Sequence, residues 1–381
     1  MTFVIFAMSL VFLPVLAENS HKEEKELAVS YLKAAVSAKC PVQTYETDDP
    51  LISVSSYTYE SAVTALAFMS EGDYDNAEKI LDAFVQGMKN DAEFKDRFRN
   101  AYAAGDANNL PGYWNNTLSQ WVQDAYLVGS GTKSNAAAAV ALLTFFQAFP
   151  NDSYLNTAVK AVDWVIDYCS NDEPGFTSGY NGWLNADSYT NLTYKATADN
   201  IWMFRACEML AEITGWEKYS DAASSAQTFV TEKMYSTGDS RFFQGTGNDG
   251  KTPSANLVPV DVQALASLCF GNDAGMDNIV RSLAPDGGYS YDNSNTSGSW
   301  LEGTAIAALA LKQIGEEEAA ESALSAMDQL QLSDGGFPQA SVPELPTGDL
   351  NRTINNWPHI GTAAWYILAV NGYNPFAVQG S

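Results

Sequence analysis

Apolar residues along this chain fall into two alternating patterns. In the first, at 22–39, 74–88, 154–169, 216–234, 276–283 and 316–330, they recur at helical spacing on one side and charges occupy the other. In the second, at 58–69, 136–146, 196–213, 257–270, 304–314 and 360–370, apolar residues cover most of the circumference and charge is sparse, 196–213 carrying the most with Asp199, Arg205, Glu208 and Glu212. The first kind predicts amphipathic helices that cover something and face water, and the second predicts helices buried on every side. The two kinds alternate from one end to the other, and no comparable run of period-two positions predicts strands.

The punctuation repeats as well. Pro174-Gly175-Phe176, Arg241-Phe242-Phe243, Asp286-Gly287-Gly288-Tyr289 and Asp334-Gly335-Gly336-Phe337 each fall between an amphipathic stretch and the next apolar one. Repetition at this scale indicates stacked supersecondary units, each unable to bury its apolar face alone. Closing six helical hairpins into a ring hides the apolar helices inside a shell of amphipathic ones. The predicted fold is therefore all-α, an (α/α)6 toroid spanning residues 22–376 as one domain, with an open solenoid as the alternative. The stretch 298–315, GSWLEGTAIAALALKQIG, shows the unit best: a polar aromatic mouth leads into a charge-free helix. Ser299 and Glu302 there have the spacing of a capping box.

Composition refines this picture. With 381 residues, 46% of them hydrophobic and 12% aromatic, the chain has ample material for a large core. Residues 1–17 are free of charge and end in Val15-Leu16-Ala17 ahead of polar residues, as an export signal does, or a short retained membrane anchor. Either reading places the remainder outside the cytoplasm, secreted or at the cell surface. A net charge of −26, from 46 acidic and 20 basic residues, makes nucleic acid and other polyanions poor partners. Cys40, Cys169, Cys207 and Cys269 allow two disulfides in such a compartment, though Cys207 and Cys269 also read as small buried hydrophobes. Only two histidines and no close cysteine pair leave no basis for a zinc site. Five N-x-S/T sequons, beginning at Asn115, Asn151, Asn191, Asn295 and Asn351, mark surface loops open to glycosylation.

The segments TYESAVTAL, WVQDAY, VPVDVQAL, SWLEGTAIAAL and WPHIGTAAWYILA, with NPF soon after the last, resemble the six-hairpin glycosidase superfamily across the whole chain beyond the leader. That resemblance implies a toroidal carbohydrate-active enzyme, a glycoside hydrolase working without cofactor or metal. Polysaccharide lyases and terpenoid cyclases also use such toroids, and the QLSDGGF segment at 331–337 resembles the QW repeats of the latter, so fold alone does not fix the activity. A non-catalytic glycan-binding or surface protein is a third reading.

Polar residues at the mouths of the apolar helices should converge on one face of the ring. Glu60, Asp199, Asp261, Glu302 and His359 each open such a helix, and Asp124 lies in the loop ahead of 136. Tyr59, Trp121, Tyr126, Trp183, Tyr194, Tyr289, Trp300 and Trp357 stand beside them. Rings stack on sugar faces and carboxylates take up sugar hydroxyls, so the set predicts a cleft for a neutral polysaccharide or oligosaccharide bound by a monomer. Hydrolysis needs one carboxylic acid and one carboxylate. Glu302, beside Trp300, and Asp124, in a polar loop, are the expected pair, with Asp261 next and Glu60 and Asp199 behind. The competing explanation is that acids in a first turn merely meet the helix dipole. His359 is likewise either a hydrogen-bonded structural residue or, on a lyase reading, a base.

Overall fold

The computed structural model describes residues 20–185, 188–348 and 353–377, without the side chains of 183–185, 188 and 189. The expected leader at 1–17 lies outside these residues. Among the described residues no helix is long and apolar enough to cross a membrane.

Six apolar helices form an inner ring: α2 (Thr58–Ser70), α4 (Thr132–Ala148), α6 (Thr197–Thr214), α8 (Val260–Phe270), α9 (Leu301–Gln313) and α11 (Ile360–Asn371). Each packs on the next, and α11 packs back on α2, so the ring is closed rather than an open solenoid. Their bodies are almost wholly buried, with alanines such as Ala136 to Ala139 and Ala305, Ala307, Ala308 and Ala310 keeping neighbouring backbones close. The outer shell consists of α1 (Lys22–Ala38), α3 (Tyr74–Asn90), α5 (Asp152–Cys169), α7 (Glu217–Thr228), a 3-10 stretch (Asp273–Ser282) and α10 (Glu317–Asp328). Helix α7 runs on through a π turn, Phe229–Lys233. Short β-ribbons of two or three strands decorate the loops.

Hairpins run from an inner helix to the outer helix that follows it, as in α2–α3 and α9–α10. This leaves α11 without a following partner, and α1, from the other end of the chain, covers it. Polar contacts fasten this seam. His21 lies 2.6 Å from Asp328 and 2.9 Å from Glu321, Lys25 reaches Glu71 and Asn371 at 2.8 Å each, and Gln331 donates to the Glu24 carbonyl. Burial lowers the His21 pKa, but the two carboxylates outweigh it and the net shift is upward.

The inner helices start without help from side-chain caps, apart from His359 at α11. Instead the first N–H of each donates to a carbonyl in the loop preceding the next inner helix: Thr58 to Asn100, Thr132 to Ser178, Thr197 to Gln244, Val260 to Tyr291, and Leu301 to Gln339. Ile360 completes the circle by donating to Thr44. One otherwise unpaired donor per helix is thereby satisfied by the neighbouring repeat. Ser299 donates its hydroxyl to Asp286 and its N–H to Ser341, while Trp300 takes the N-cap position. The expected capping box does not form.

A second repeated device explains the aromatic punctuation. The fourth residue of an inner helix reaches to the loop before that helix: Asn135 Oδ1 accepts the Phe98 N–H at 2.8 Å, Asn200 that of Phe176 at 2.7 Å, and Gln263 Oε1 that of Phe242 at 2.8 Å. Thr304 serves Tyr289 in the same way at 2.9 Å. Asn200 also donates to the Phe176 and Ala196 carbonyls and is fully buried. Replacing it by Leu strands these groups, so Asn200→Leu is expected to destabilise the fold by about 3 kcal/mol. Urea unfolding should show this as a lower midpoint at unchanged m value.

All four cysteines are free thiols, so the two disulfides allowed by the sequence are not made. Cys169 and Cys207 are buried in the core, and burial pushes the Cys169 thiol up to about 12. They act as small apolar side chains.

Candidate functional site

The starts of the inner helices converge on a lumen of about 300 Å³ at the loop face. Each helix brings one polar group at its first, second or third turn position or at its cap: Glu60 from α2, Lys133 from α4, Asp199 from α6, Asp261 from α8, Glu302 from α9 and His359 from α11. The first five line the lumen, together with Tyr45, Tyr57, Tyr59, Tyr126, Tyr291 and Trp300. A wider groove of about 820 Å³ lies on the outer wall between α3 and α5, but the lumen carboxylates do not reach it.

Asp199 is 8% exposed, and burial raises its pKa to about 6. The Ser178 hydroxyl and the Lys133 ammonium oppose that rise, and the charge of Asp261 adds to it. A carboxyl in this state carries a proton in mildly acidic solution and can deliver it. Glu302 is 4% exposed and sits behind Trp300, whose ring lies so close to Gly303 that a Cβ there would meet it at 2.2 Å. Tyr59 stands among Glu302, Glu60 and Asp261; burial first, and then Glu302, keep its phenol well above the ordinary range. Its oxygen accepts the Trp365 indole N–H at 3.1 Å. The Lys133 ammonium rests 3.5 Å from the centre of the Tyr59 ring, a cation–π contact.

His359 is fully buried behind this wall. Its Nδ1 accepts the Thr362 N–H at 3.2 Å, which leaves the proton of the neutral ring on Nε2. Nε2 lies 4.0 Å from Glu60, beyond hydrogen-bond reach. The ring stacks on Tyr45 at 4.5 Å, and burial lowers its pKa to about 3. It is a neutral cap, set one layer back from the lumen surface.

Other expected residues are dispersed. Asp124 does not line the lumen; it is exposed, and its carboxylate accepts the Tyr126 and Leu127 N–H groups at 2.9 and 3.0 Å in a turn on the rim. Trp121 is 55% exposed on a neighbouring hairpin. Tyr289 is a core residue, and Tyr194 lies half-buried in the loop before α6, outside the lumen lining. Trp357 does not line the lumen; its ring meets Tyr45 edge-on at 6.1 Å and its carbonyl accepts the Gln339 N–H at 2.9 Å. The Trp183 side chain lies outside the described residues. Lys195, near the mouth in sequence, is fully buried and donates to Asn171 and to the carbonyls of Glu173, Pro174 and Gly175. It is committed to holding a loop.

Tyr45, Gln244 and Gln339 do not stand out in the sequence, and Lys133 stands out only as one of several cations near the predicted mouth, yet all four line the lumen. Lys133 had a usable signal, since it occupies the same second position of its helix as Asp261 and Glu302 do of theirs. Among the described residues no cluster of three or more His, Cys, Asp or Glu side chains is placed to hold a metal ion.

No protein-family model matches this sequence, and no curated protein matches it significantly. Solved structures do. A wild-type glycosidase superposes with a TM-score of 0.66 at 12% identity, over 93% of this chain and 99% of its own. A GH76 α-mannanase of Bacteroides thetaiotaomicron gives 0.59 at 12% identity, over 93% and 97%. The cellobiose 2-epimerase of Bacillus thermoamylovorans gives 0.61 at 12% identity, over 90% and 98%. Likeness at such low identity speaks for architecture. The closed inner ring, the outer shell and these superpositions agree that the chain has the (α/α)6 toroid fold of the six-hairpin glycosidases.

Proposed function

We propose that this protein is an exported glycoside hydrolase that cleaves a neutral polysaccharide or oligosaccharide in the lumen of its toroid. One observation carries the reading: four carboxylates from four inner helices meet in one aromatic-walled lumen, and one of them is held at about 6. Asp199 serves as the acid. Its proton passes to the glycosidic oxygen as the bond from that oxygen to the anomeric carbon breaks. Glu302, two inner helices further round the ring, is the second carboxylate, which either takes a proton from the attacking water or itself attacks the anomeric carbon. Asp261, between them, holds the Asp199 proton in place by its charge. Tyr59 and Trp300 give the sugar its apolar walls. A lyase acting on uronates fits less well: Lys133 supplies a lumen cation, but His359, the expected base, is recessed and neutral.

Reducing-end release from a panel of neutral and uronate-containing glycans tests the reading. Glu302→Gln is expected to lose at least about a hundredfold, with azide restoring part of the rate by standing in for the missing carboxylate. Asp124→Asn keeps its turn contacts and should stay within about threefold of wild type, because it removes no lumen carboxylate. Unsaturated products, or full activity in Glu302→Gln, would count against the assignment.

A further inference from the structure

Ahead of α4 the chain rises into a small β-hairpin, Tyr113–Asn115 paired antiparallel with Gln120–Val122. Trp114 and Trp121 stand directly opposite one another across it, so both side chains leave the same face. They are 56% and 55% exposed, with Leu118 at 59% in the connecting turn, whereas Trp202 and Trp365 are entirely buried. Large apolar side chains grouped in this way on a surface mark a contact site.

The seat of these rings is built. Trp121 lies against Gly112, where a Cβ would come 2.5 Å from the indole nitrogen, so a residue with any side chain would displace the ring. Asn115 Oδ1 accepts the N–H groups of Thr117 and Leu118 at 3.0 Å each and fixes the turn between the strands. The hairpin also leads to the lumen. Tyr126 lies four steps of chain beyond Val122, a span of at most about 14 Å, and Tyr126 is both exposed and part of the lumen wall. The lumen itself, about 300 Å³, is at the lower end of ligand pockets, so a polymer with one bond seated there must continue out through the mouth.

We infer that the Trp114–Trp121 face is an outlying binding site for the continuing chain of a neutral polysaccharide whose reacting bond lies in the lumen. This rests on the proposed hydrolase reading and adds to it a preference for long substrates. The chemistry selects the occupant. Indole faces stack on the C–H faces of sugar rings, while Asn116, Gln120 and Gln123 at the edges can meet hydroxyls. Residues 100–132 contain no Lys or Arg, and Asp106 and Asp124 are the acids among them, so an anionic lipid surface or a polyanion is not attracted.

The test compares the full chain with Trp114→Ala/Trp121→Ala, and with Trp114→Phe/Trp121→Phe, which keeps a ring at both positions. Retention is measured by affinity electrophoresis in gels containing soluble starch, mannan or a mixed-linkage β-glucan, and kcat/KM on each polymer and its trisaccharide. For the polymer that binds wild type, the alanine pair is expected to weaken retention at least about tenfold. Its loss of kcat/KM on polymer should exceed its loss on trisaccharide by a similar factor, and the phenylalanine pair should recover most of both. Equal losses on polymer and trisaccharide, or unchanged retention, overturn the inference. So does a wild-type dimer that the alanine pair dissociates without any change in polymer retention. Trisaccharide hydrolysis without polymer retention overturns this site and leaves the hydrolase reading standing. Polymer retention lost in the alanine pair, in a protein that hydrolyses nothing, keeps the site and overturns the hydrolase. If wild type neither binds nor cleaves any glycan of the panel, both fall.

Discussion

Asp199→Asn is expected to lose about a thousandfold in kcat on ordinary glycosides and yet, at pH 7, to be more stable than the wild type. Both effects follow from one buried carboxyl. It titrates at about 6 in the folded chain, against about 3.9 unfolded. Between these values the native state keeps a proton that the unfolded state has released, so stability falls as pH rises, and above about 6 the full cost, about 3 kcal/mol, is present. Asn carries no such charge. Urea unfolding at pH 7 should favour the variant by up to that amount, and at pH 4 the gap should nearly close. On the catalytic side, an aryl glycoside with an acidic phenol leaving group needs no proton, so the variant should recover much of its rate there. Equal stability of variant and wild type at both pH values would return Asp199 to the ordinary carboxylate range and remove it as the acid.

The second large effect concerns His359 and acid. Its ring is neutral when folded, with burial lowering its pKa to about 3. Below pH 6.5 the unfolded imidazole takes up a proton that the native one refuses, so stability falls with falling pH, by about 5 kcal/mol in all at pH 3. In His359→Asn the amide oxygen can accept the Thr362 N–H in place of Nδ1, and nothing at that position titrates. The variant loses the stacking on Tyr45 and should be less stable at pH 7, by about 1–3 kcal/mol. Its stability should then decline less steeply than that of the wild type between pH 6.5 and 4. His21 acts in the opposite sense: its net raised pKa contributes stability below about 6.5 that is lost as pH rises through the folded value. Parallel decline in wild type and His359→Asn would show that the buried ring is protonated in the folded chain.

Much of the architecture is legible in the sequence because a helix without charge on any side has few places to go. Alternating such helices with amphipathic ones leaves the ring as the economical solution. The mouths of α2, α6, α8 and α9 are legible for a related reason, since an acid at the foot of an apolar helix stands out. The second hairpin is not. Four alanines at 136–139 suggest a helix beginning there, and Thr132 to Asn135 look like polar loop. The helix in fact reaches one turn further, because Asn135 is buried and bonded to Phe98 and to the Gly131 carbonyl. That missing turn leaves Lys133 as one loop cation among several near the mouth and shifts attention to Asp124. The buried amides Asn200 and Gln263 go unnoticed in the same way, since their partners lie in loops without periodicity. Tyr45 is brought to the lumen by the seam between Thr44 and Ile360, which no local pattern reveals.

The pairing of α1 with α11 sets an order on synthesis. Helix α1 leaves the ribosome before every other helix of the ring, but the inner helix it covers ends at Asn371. Until then the ring has an open flank, and α1 has only the edge of the first hairpin to rest on, through Lys25 to Glu71 and Lys33 to Asp73. The ring can close only when α11 has been made, through contacts such as that between Lys25 and Asn371, which join residues far apart in sequence. A nascent chain stalled before residue 360 therefore exposes the inside of the toroid, and early release from the ribosome would yield a sticky fragment in place of a smaller ring.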